Sequence, residues 1–147
     1  MFTHILIPTD GSAIANIAVK VGIALAKKTG ARITGYYSIE PVWPAGLGEG
    51  YTISRTTLAD LDRRARKVGE KILGAMEKRA KSAGVRFDSV CSNSDTAYRG
   101  IIGAARKKRC DVIVMASHGR GSVGTLLLGS VTSKVLANSR IPVLVCR

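Results

Sequence analysis

Short apolar runs alternate along this chain with longer stretches in which apolar residues recur every three or four positions. The first kind reads as a strand buried on both faces, the second as a helix with one buried face. The run "HILIPT" at 4–9 predicts a first strand that ends near Pro8. Asp10, Gly11 and Ser12 follow, and Ser12 is placed to cap a helix. Ile14, Ile17, Val21 and Leu25 share a face of that helix up to a stop at Thr29-Gly30. "ARITGYYSI" (31–39) predicts a second strand, and the prolines and glycines of 41–54 a surface loop. Leu58, Leu61, Ala65, Val68, Ile72 and Met76 mark a long amphipathic helix that stops at Ser82-Ala83-Gly84. "VRFDSVC" (85–91) predicts a third strand, "SNSDTA" a turn, and Tyr98, Ile101, Ile102 and Ala105 a helix. "DVIVMAS" (111–117) is the expected fourth strand, a short helix covers 129–138, and "IPVLVC" (141–146) is the last strand.

Strict alternation of strand and helix implies an α/β fold: one open, doubly wound parallel sheet with helices on both faces. The first and fourth strands are the most apolar, which places them centrally, and the strand order expected is 3-2-1-4-5. No internal repeat or second domain is visible, so residues 1–147 are read as a single domain. Ligands of such sheets sit beyond the carboxyl ends of the strands, where the strand order reverses. Here the reversal lies between strands one and four, so the crevice falls to Pro8, Thr9 and Asp10 on one side. Ala116, Ser117, His118 and Gly119 face them.

The segment leaving the fourth strand, "MASHGRGSVGTLLLGSVTSKV" (115–135), crowds glycines and hydroxyls around an apolar run. Gly119 and Gly121 permit backbone conformations barred to other residues, so that successive N–H groups can converge on an anion. Gly129 and Ser130 open the next helix, whose first-turn N–H groups suit a phosphate. The pattern fits two readings equally: a phosphate cradle, or a plain turn followed by a helix cap. Other residues also carry alternatives. Asp10 can bind ribose hydroxyls or a metal, or cap the first helix. His118 can act as a base or a phosphate partner, or orient its loop. Arg120 can pair with a phosphate or stay solvated. Trp43 can stack as a lid or pack.

Composition narrows the class. Of 147 residues, 46% are hydrophobic and 22% charged, which is globular rather than disordered. No apolar run reaches the roughly 18–20 residues of a membrane span, and Pro8 and Asp10 come too early for a signal peptide. A cytoplasmic protein is expected. Cys91, Cys110 and Cys146 have neither disulfide nor zinc spacing and read as small buried hydrophobes. The net charge of +13 favours anionic partners. It is spread over Arg63, Arg64, Arg66, Lys67 and Lys71 on one helix and 106–109 at the end of another, a pattern that suits solvated faces.

With these residues in view, the stretch 115–135 resembles the G-x2-G-x9-G-S/T signature of the universal stress protein family, in its nucleotide-binding branch. "ILIPTDGS", "ASHGRG", "LLLGSVTSKVL" and "IPVLV" resemble that family's first strand and last third, and the match covers the whole chain in order. The resemblance implies a cytoplasmic homodimer that binds ATP, with magnesium, in a stress response. It implies that Pro8, Thr9 and Asp10 lie against ribose and adenine, and that Ser38 and Ile39 meet the adenine edge through their backbone. By the same resemblance Gly119, Arg120, Gly129, Ser130, Val131 and Thr132 would hold the phosphates, and Met115, Ala116, His118 and Gly121 would complete the site. The sequence departs from the signature at Ala116, where its first glycine would be, at Ser94-Asp95-Thr96 in place of Gly-Asp-Pro, and at Ser38 where an apolar residue is common.

Function classes follow. The sequence shows no nucleophile–base pair or carboxylate cluster, so a regulatory nucleotide binder is expected, with ATP hydrolysis slow and incidental. The alternative is a stress protein that binds no nucleotide and serves as a dimeric interaction module for unknown protein or polyanion partners. Nucleic acid is not favoured, because no aromatic reading pattern accompanies the charge. The last strand reads as an uncovered apolar edge, which predicts dimerisation through it.

Overall fold

The computed structural model describes residues 1–41, 54–119 and 128–147. Nine elements alternate as strand and helix: β1 (His4–Pro8), α1 (Ala13–Thr29), β2 (Arg32–Ile39), α2 (Arg55–Ser82), β3 (Phe87–Asn93), α3 (Ala97–Lys107), β4 (Val112–Ala116), α4 (Ser130–Asn138) and β5 (Val143–Cys146). All five strands form one parallel sheet in the order β3-β2-β1-β4-β5. This is the doubly wound α/β arrangement expected from the alternation and from the apolarity of β1 and β4.

Side-chain alternation along β1 shows how the sheet builds two cores. Ile5 and Ile7 point to a layer formed with Val19 and Ile23 of α1 and Met76 and Ala80 of α2. Leu6, between them, points to the opposite layer, with Ile101 and Ala105 of α3 and Val135 of α4. Burial on both faces leaves Ile5, Leu6 and Ile7 at 0% exposure, which explains why a continuous apolar run rather than an alternating one marks this strand.

Local chemistry sets the helix ends. Ser12 Oγ accepts the Ala15 N–H at 3.1 Å and starts α1. Gly30 closes it in the left-handed region at φ 75°, with Lys27 and Lys28 in the last turn facing the negative end of the helix dipole. Ser54 caps α2 in the same way through Thr57, so the helix begins three residues before its apolar stripe.

The third strand starts two residues later and ends two residues later than the apolar run suggests. The cause is the end of α2: Val85 N–H donates to Ala80 O at 2.9 Å and belongs to the helix terminus. The ladder then runs from Ile33↔Phe87 to Ile39↔Asn93, absorbing part of the expected turn. The other strands are shorter than their apolar runs; Pro142, for example, lies outside β5, but its carbonyl still accepts from Ile113 N–H. Cys110 and Cys146 are buried as expected, whereas Cys91 on the edge strand β3 is only partly so. Burial pushes the Cys110 thiol up to about 11.

Candidate functional site

Beyond the carboxyl ends of β1, β2 and β4 lies an open cleft of about 700 Å³. Of the residues singled out in the sequence, Pro8, Thr9, Asp10, Ser38, Ile39, Met115, Ala116, His118, Gly119, Gly129, Ser130, Val131 and Thr132 line it together. Arg120 and Gly121, with Trp43 and nearly all of the 41–54 loop, lie outside the described residues.

The β1 side is tied down by its own backbone. Thr9 N–H continues toward β2 by donating to Tyr36 O at 2.9 Å, and Thr9 Oγ1 accepts from Gly11 N–H at 3.1 Å. Asp10 Oδ1 accepts from Ser12 N–H at 2.9 Å, a local turn that aims the chain into α1. The turn-forming reading of Asp10 is therefore realised through one carboxylate oxygen. The other, Oδ2, lies 2.8 Å from where a Cβ on Gly119 would stand. Glycine at 119 lets the segment leaving β4 lie directly against the Asp10 carboxylate.

The opposite wall depends on Gly129. Its N–H donates to Ser117 O at 2.7 Å, and a Cβ there would come within 2.9 Å of His118 Cα. That neighbour is main chain and cannot swing away. Gly129 is thus required for the start of α4 to close onto the segment after β4. Thr132 reinforces the closure: its hydroxyl, 2% exposed, donates to Ala116 O at 2.9 Å. With that hydroxyl engaged, what Thr132 offers a ligand is its place in the first turn of α4. Gly129 makes no side-chain cap, no acidic residue occupies that turn, and Ser130 and Val131 are exposed at it. The positive end of the helix dipole faces the cleft with no carboxylate in its own first turn to neutralise it.

His118 is oriented by Ser117, whose Oγ stands 2.9 Å from His118 Nδ1. The structure thereby creates a hydroxyl–imidazole pair that was not recognised in the sequence. Ser117 is 1% exposed, so its oxygen is not presented to a substrate, and the pair orients the loop instead. On the β2 side, Ile39 is buried, and the Ser38 hydroxyl is buried without a hydrogen-bond partner among the described residues. Ala116 ends β4 with its side chain buried in the α1–α2 layer, so its methyl packs in the core.

Several lining residues were missed. Tyr36, Tyr37 and Glu40 come from β2 and its end, Ala65 from α2, and Ala97 and Ile101 from α3. One signal was available for Ala65. At about 1.5 Å per residue, α2 spans roughly 42 Å against about 26 Å for β2, so one end of the helix must overhang the sheet. Among the described residues no cluster of three or more His, Cys, Asp or Glu could hold a metal ion.

A doubly wound sheet with a cleft at its switch point, walled by a glycine-bearing turn and a helix start, defines a broad class of α/β ligand-binding domains. Comparison with known proteins is more specific. The model of the universal stress protein family matches residues 1–147, and the chain belongs to that family. It is 35% identical over 147 residues to a universal stress protein of Thermus aquaticus, covering all of both chains. It is 32% identical over 148 residues to the universal stress protein MJ0531 of Methanocaldococcus jannaschii, covering all of this chain and 83% of that one. Among solved structures, MJ0577 of the same organism superposes with a TM-score of 0.83 at 25% identity, over 99% of this chain and 95% of that one. A universal stress protein in complex with cAMP gives 0.70 at 20% identity, over 99% and 97% of the chains. One from Archaeoglobus fulgidus in complex with dAMP gives 0.68 at 16% identity, over 100% and 98%.

Proposed function

We propose that this protein binds an adenine nucleotide, ATP carried with magnesium, in the cleft between β1 and β4, and that it acts as a regulator in a stress response. The observation that carries the reading is the pairing of two walls around one cleft of about 700 Å³. One wall is the start of α4, which has no acidic residue in its first turn and is held against the β4 segment by Gly129; the other is Asp10 at the end of β1. A phosphate chain fits the helix start, and the Asp10 carboxylate lines the same cleft, where ribose hydroxyls would meet it. The fit extends to the base: Ser38 and Ile39 line the cleft, where their backbone would meet a heteroaromatic edge, and the buried Ser38 hydroxyl has no partner among the described residues. The two family members solved with cAMP and with dAMP support the ligand class. Magnesium would be held by the phosphates, with the carboxylates of Asp10 and Glu40 lining the same cleft.

The protein's role is binding rather than fast turnover. The buried Ser117 is no accessible nucleophile, and His118 is engaged with it. Binding would change how a cytoplasmic homodimer meets its partners. The edge strand β5 carries Leu144 at 41% exposure, and α4 beside it carries Leu136 at 41%, an apolar edge suited to a second copy. Among the described residues no helix is long and apolar enough to cross a membrane.

Calorimetric titration with ATP and magnesium tests the reading, with Ser130→Asp as the variant. Position 130 is exposed, so the added carboxylate repels phosphate without the collision that any side chain at Gly129 would make. Saturable binding that falls about tenfold or more in the variant is expected. Absence of binding by the unaltered protein overturns the nucleotide reading. Light scattering that shows only monomer at micromolar concentration overturns the dimer.

A further inference from the structure

The charge is unevenly divided along the chain. From Thr96 to Arg147 there are nine Lys or Arg residues and one acidic residue, Asp111, a net of +8 out of +13. The two helices of this segment, α3 and α4, pack on each other and contain no acidic residue. By contrast α2 interleaves its cations with acids, and Arg63, Arg66 and Lys81 are paired to Asp60, Asp62 and Glu77.

At the junction of α3 and α4 two cations gather on one ring. The Arg99 guanidinium lies 5.8 Å from the centroid of Tyr98, and the Lys134 ammonium lies 5.7 Å from it. Arg99 Nε also donates to the Tyr98 hydroxyl at 3.1 Å. The tyrosine holds both charges by its negative ring face and its oxygen, yet the cations repel each other, and among the described residues neither pairs with a carboxylate. A bound anion removes that repulsion. Arg106 continues the row two turns along α3, about 10 Å from Arg99, and Lys107 stands beside it; all four cations are exposed.

We propose that the outer face of α3 and α4 is a binding surface for the phosphate backbone of nucleic acid. A row of cations suits a polymer that carries one charge per nucleotide better than a single phosphate. Two other anionic partners fit less well. A helix that binds an anionic membrane sinks large apolar side chains into it; α3 exposes none, and the two that α4 exposes, Val131 and Leu136, belong to the cleft lining and to the apolar edge beside β5 rather than to the cationic row. A protein partner needs an apolar interface centre, which the outward row of Arg99, Gly103, Arg106 and Lys107 does not supply. The surface reads charge and spacing, not sequence. It is separate from the nucleotide cleft and does not rest on that reading.

Fluorescence anisotropy with a labelled single-stranded DNA of about 20 nucleotides, titrated at salt from about 50 to about 300 mM, tests this. Arg99→Gln/Arg106→Gln/Lys134→Gln is compared with Arg64→Gln/Lys67→Gln/Lys71→Gln, which removes the same charge from α2. The α3–α4 variant is expected to lose about tenfold or more in affinity and to flatten the salt dependence by about two units of slope, the α2 variant less than about threefold. If the α3–α4 variant fails to fold by circular dichroism, Arg106→Gln and Lys134→Gln are measured singly, each expected to weaken binding about twofold to threefold. The proposal is overturned by equal losses in the two triple variants, by no loss in the single ones, or by no binding at the lowest salt. Displacement of the DNA by ATP with magnesium would place it in the cleft and overturn the proposal too. A Ser130→Asp protein that has lost ATP but keeps the DNA separates the two sites.

Discussion

The two ends of the sheet handle their polar groups in opposite ways. At the amino ends of the strands most groups are closed within the protein, the buried His4 Nδ1 being an exception that has no partner among the described residues and lines no part of the cleft. Asp111 Oδ2 accepts both the Thr3 N–H and the Thr3 hydroxyl at 2.7 Å, while Oδ1 accepts His4 N–H at 3.1 Å. His4 Nε2 meets Thr34 Oγ1 at 2.8 Å, and Lys108 reaches Asp88 at 2.6 Å. At the carboxyl ends a cleft stands open, the start of α4 is exposed, and the Ser38 hydroxyl has no partner among the described residues. Closed networks hold a fold together, whereas groups left unpaired beside a cavity are available to a ligand. The contrast assigns stability to one end and recognition to the other, and it can be broken.

The largest expected effect is at Gly129. Gly129→Ala drives a methyl into the His118 main chain, and should cost about 2 kcal/mol of stability by denaturant unfolding and weaken nucleotide binding together. Unchanged stability and affinity would show that the two walls need not meet. Next comes Asp111→Ala at the closed end. It strands the Thr3 and His4 donors and should cost about 1–2 kcal/mol, with nucleotide affinity measured by calorimetry unaltered. A loss of affinity would mean that the two ends are not independent.

Acid should act on the closed end first. Burial pushes the His4 imidazole below its ordinary 6.5, an effect that the neighbouring Arg32 reinforces and Asp111 partly offsets. A base whose folded-state value is depressed is protonated more readily in the unfolded chain. Its contribution to stability is therefore complete above about pH 6.5 and lost as pH falls through the depressed value. Thermal unfolding scans from pH 8 to pH 5 should show a falling midpoint, and His4→Gln should flatten that fall. Asp88 and Asp111 extend the same trend at lower pH. Bonding to Lys108 holds Asp88 below its usual range despite burial; for Asp111, burial opposes but the Thr3 and His4 donors prevail. Their contributions are present above the ordinary carboxylate value and disappear as pH falls through the depressed ones.

The smallest effect sharpens the comparison from the open end. Ser38→Ala removes a buried hydroxyl that has no partner, so the ligand-free protein should be as stable as before or slightly more so. Nucleotide affinity should fall a few-fold if the base uses that hydroxyl. An unchanged affinity would confine recognition to the β1 and α4 walls.

Much of the frame was legible before any coordinates. "HILIPT" and "DVIVMAS" announced central strands because a strand buried on both faces has no polar positions to alternate with. Ser12 and Gly30 marked the ends of α1 because capping is local chemistry, decided within four residues. The spacing of Gly119 and Gly129 pointed to the crevice. The start of β3 was misjudged because Val85, apolar enough for a strand, is used by the end of α2.

Local pattern thus settled the elements, their order and the neighbourhood of the site, since period, caps and apolarity act between residues close in the chain. Long-range packing decided the rest. The need for glycine at 129 comes from His118 on another segment, the engagement of Thr132 from Ala116, and the burial of Ser117 from the layers around it. The meeting of Arg99 and Lys134 over Tyr98 depends on how α3 lies against α4. Those distances depend on how two helices and a sheet fill space together, which the residue order does not state even where, as with His118 and Gly129, one stretch holds both partners.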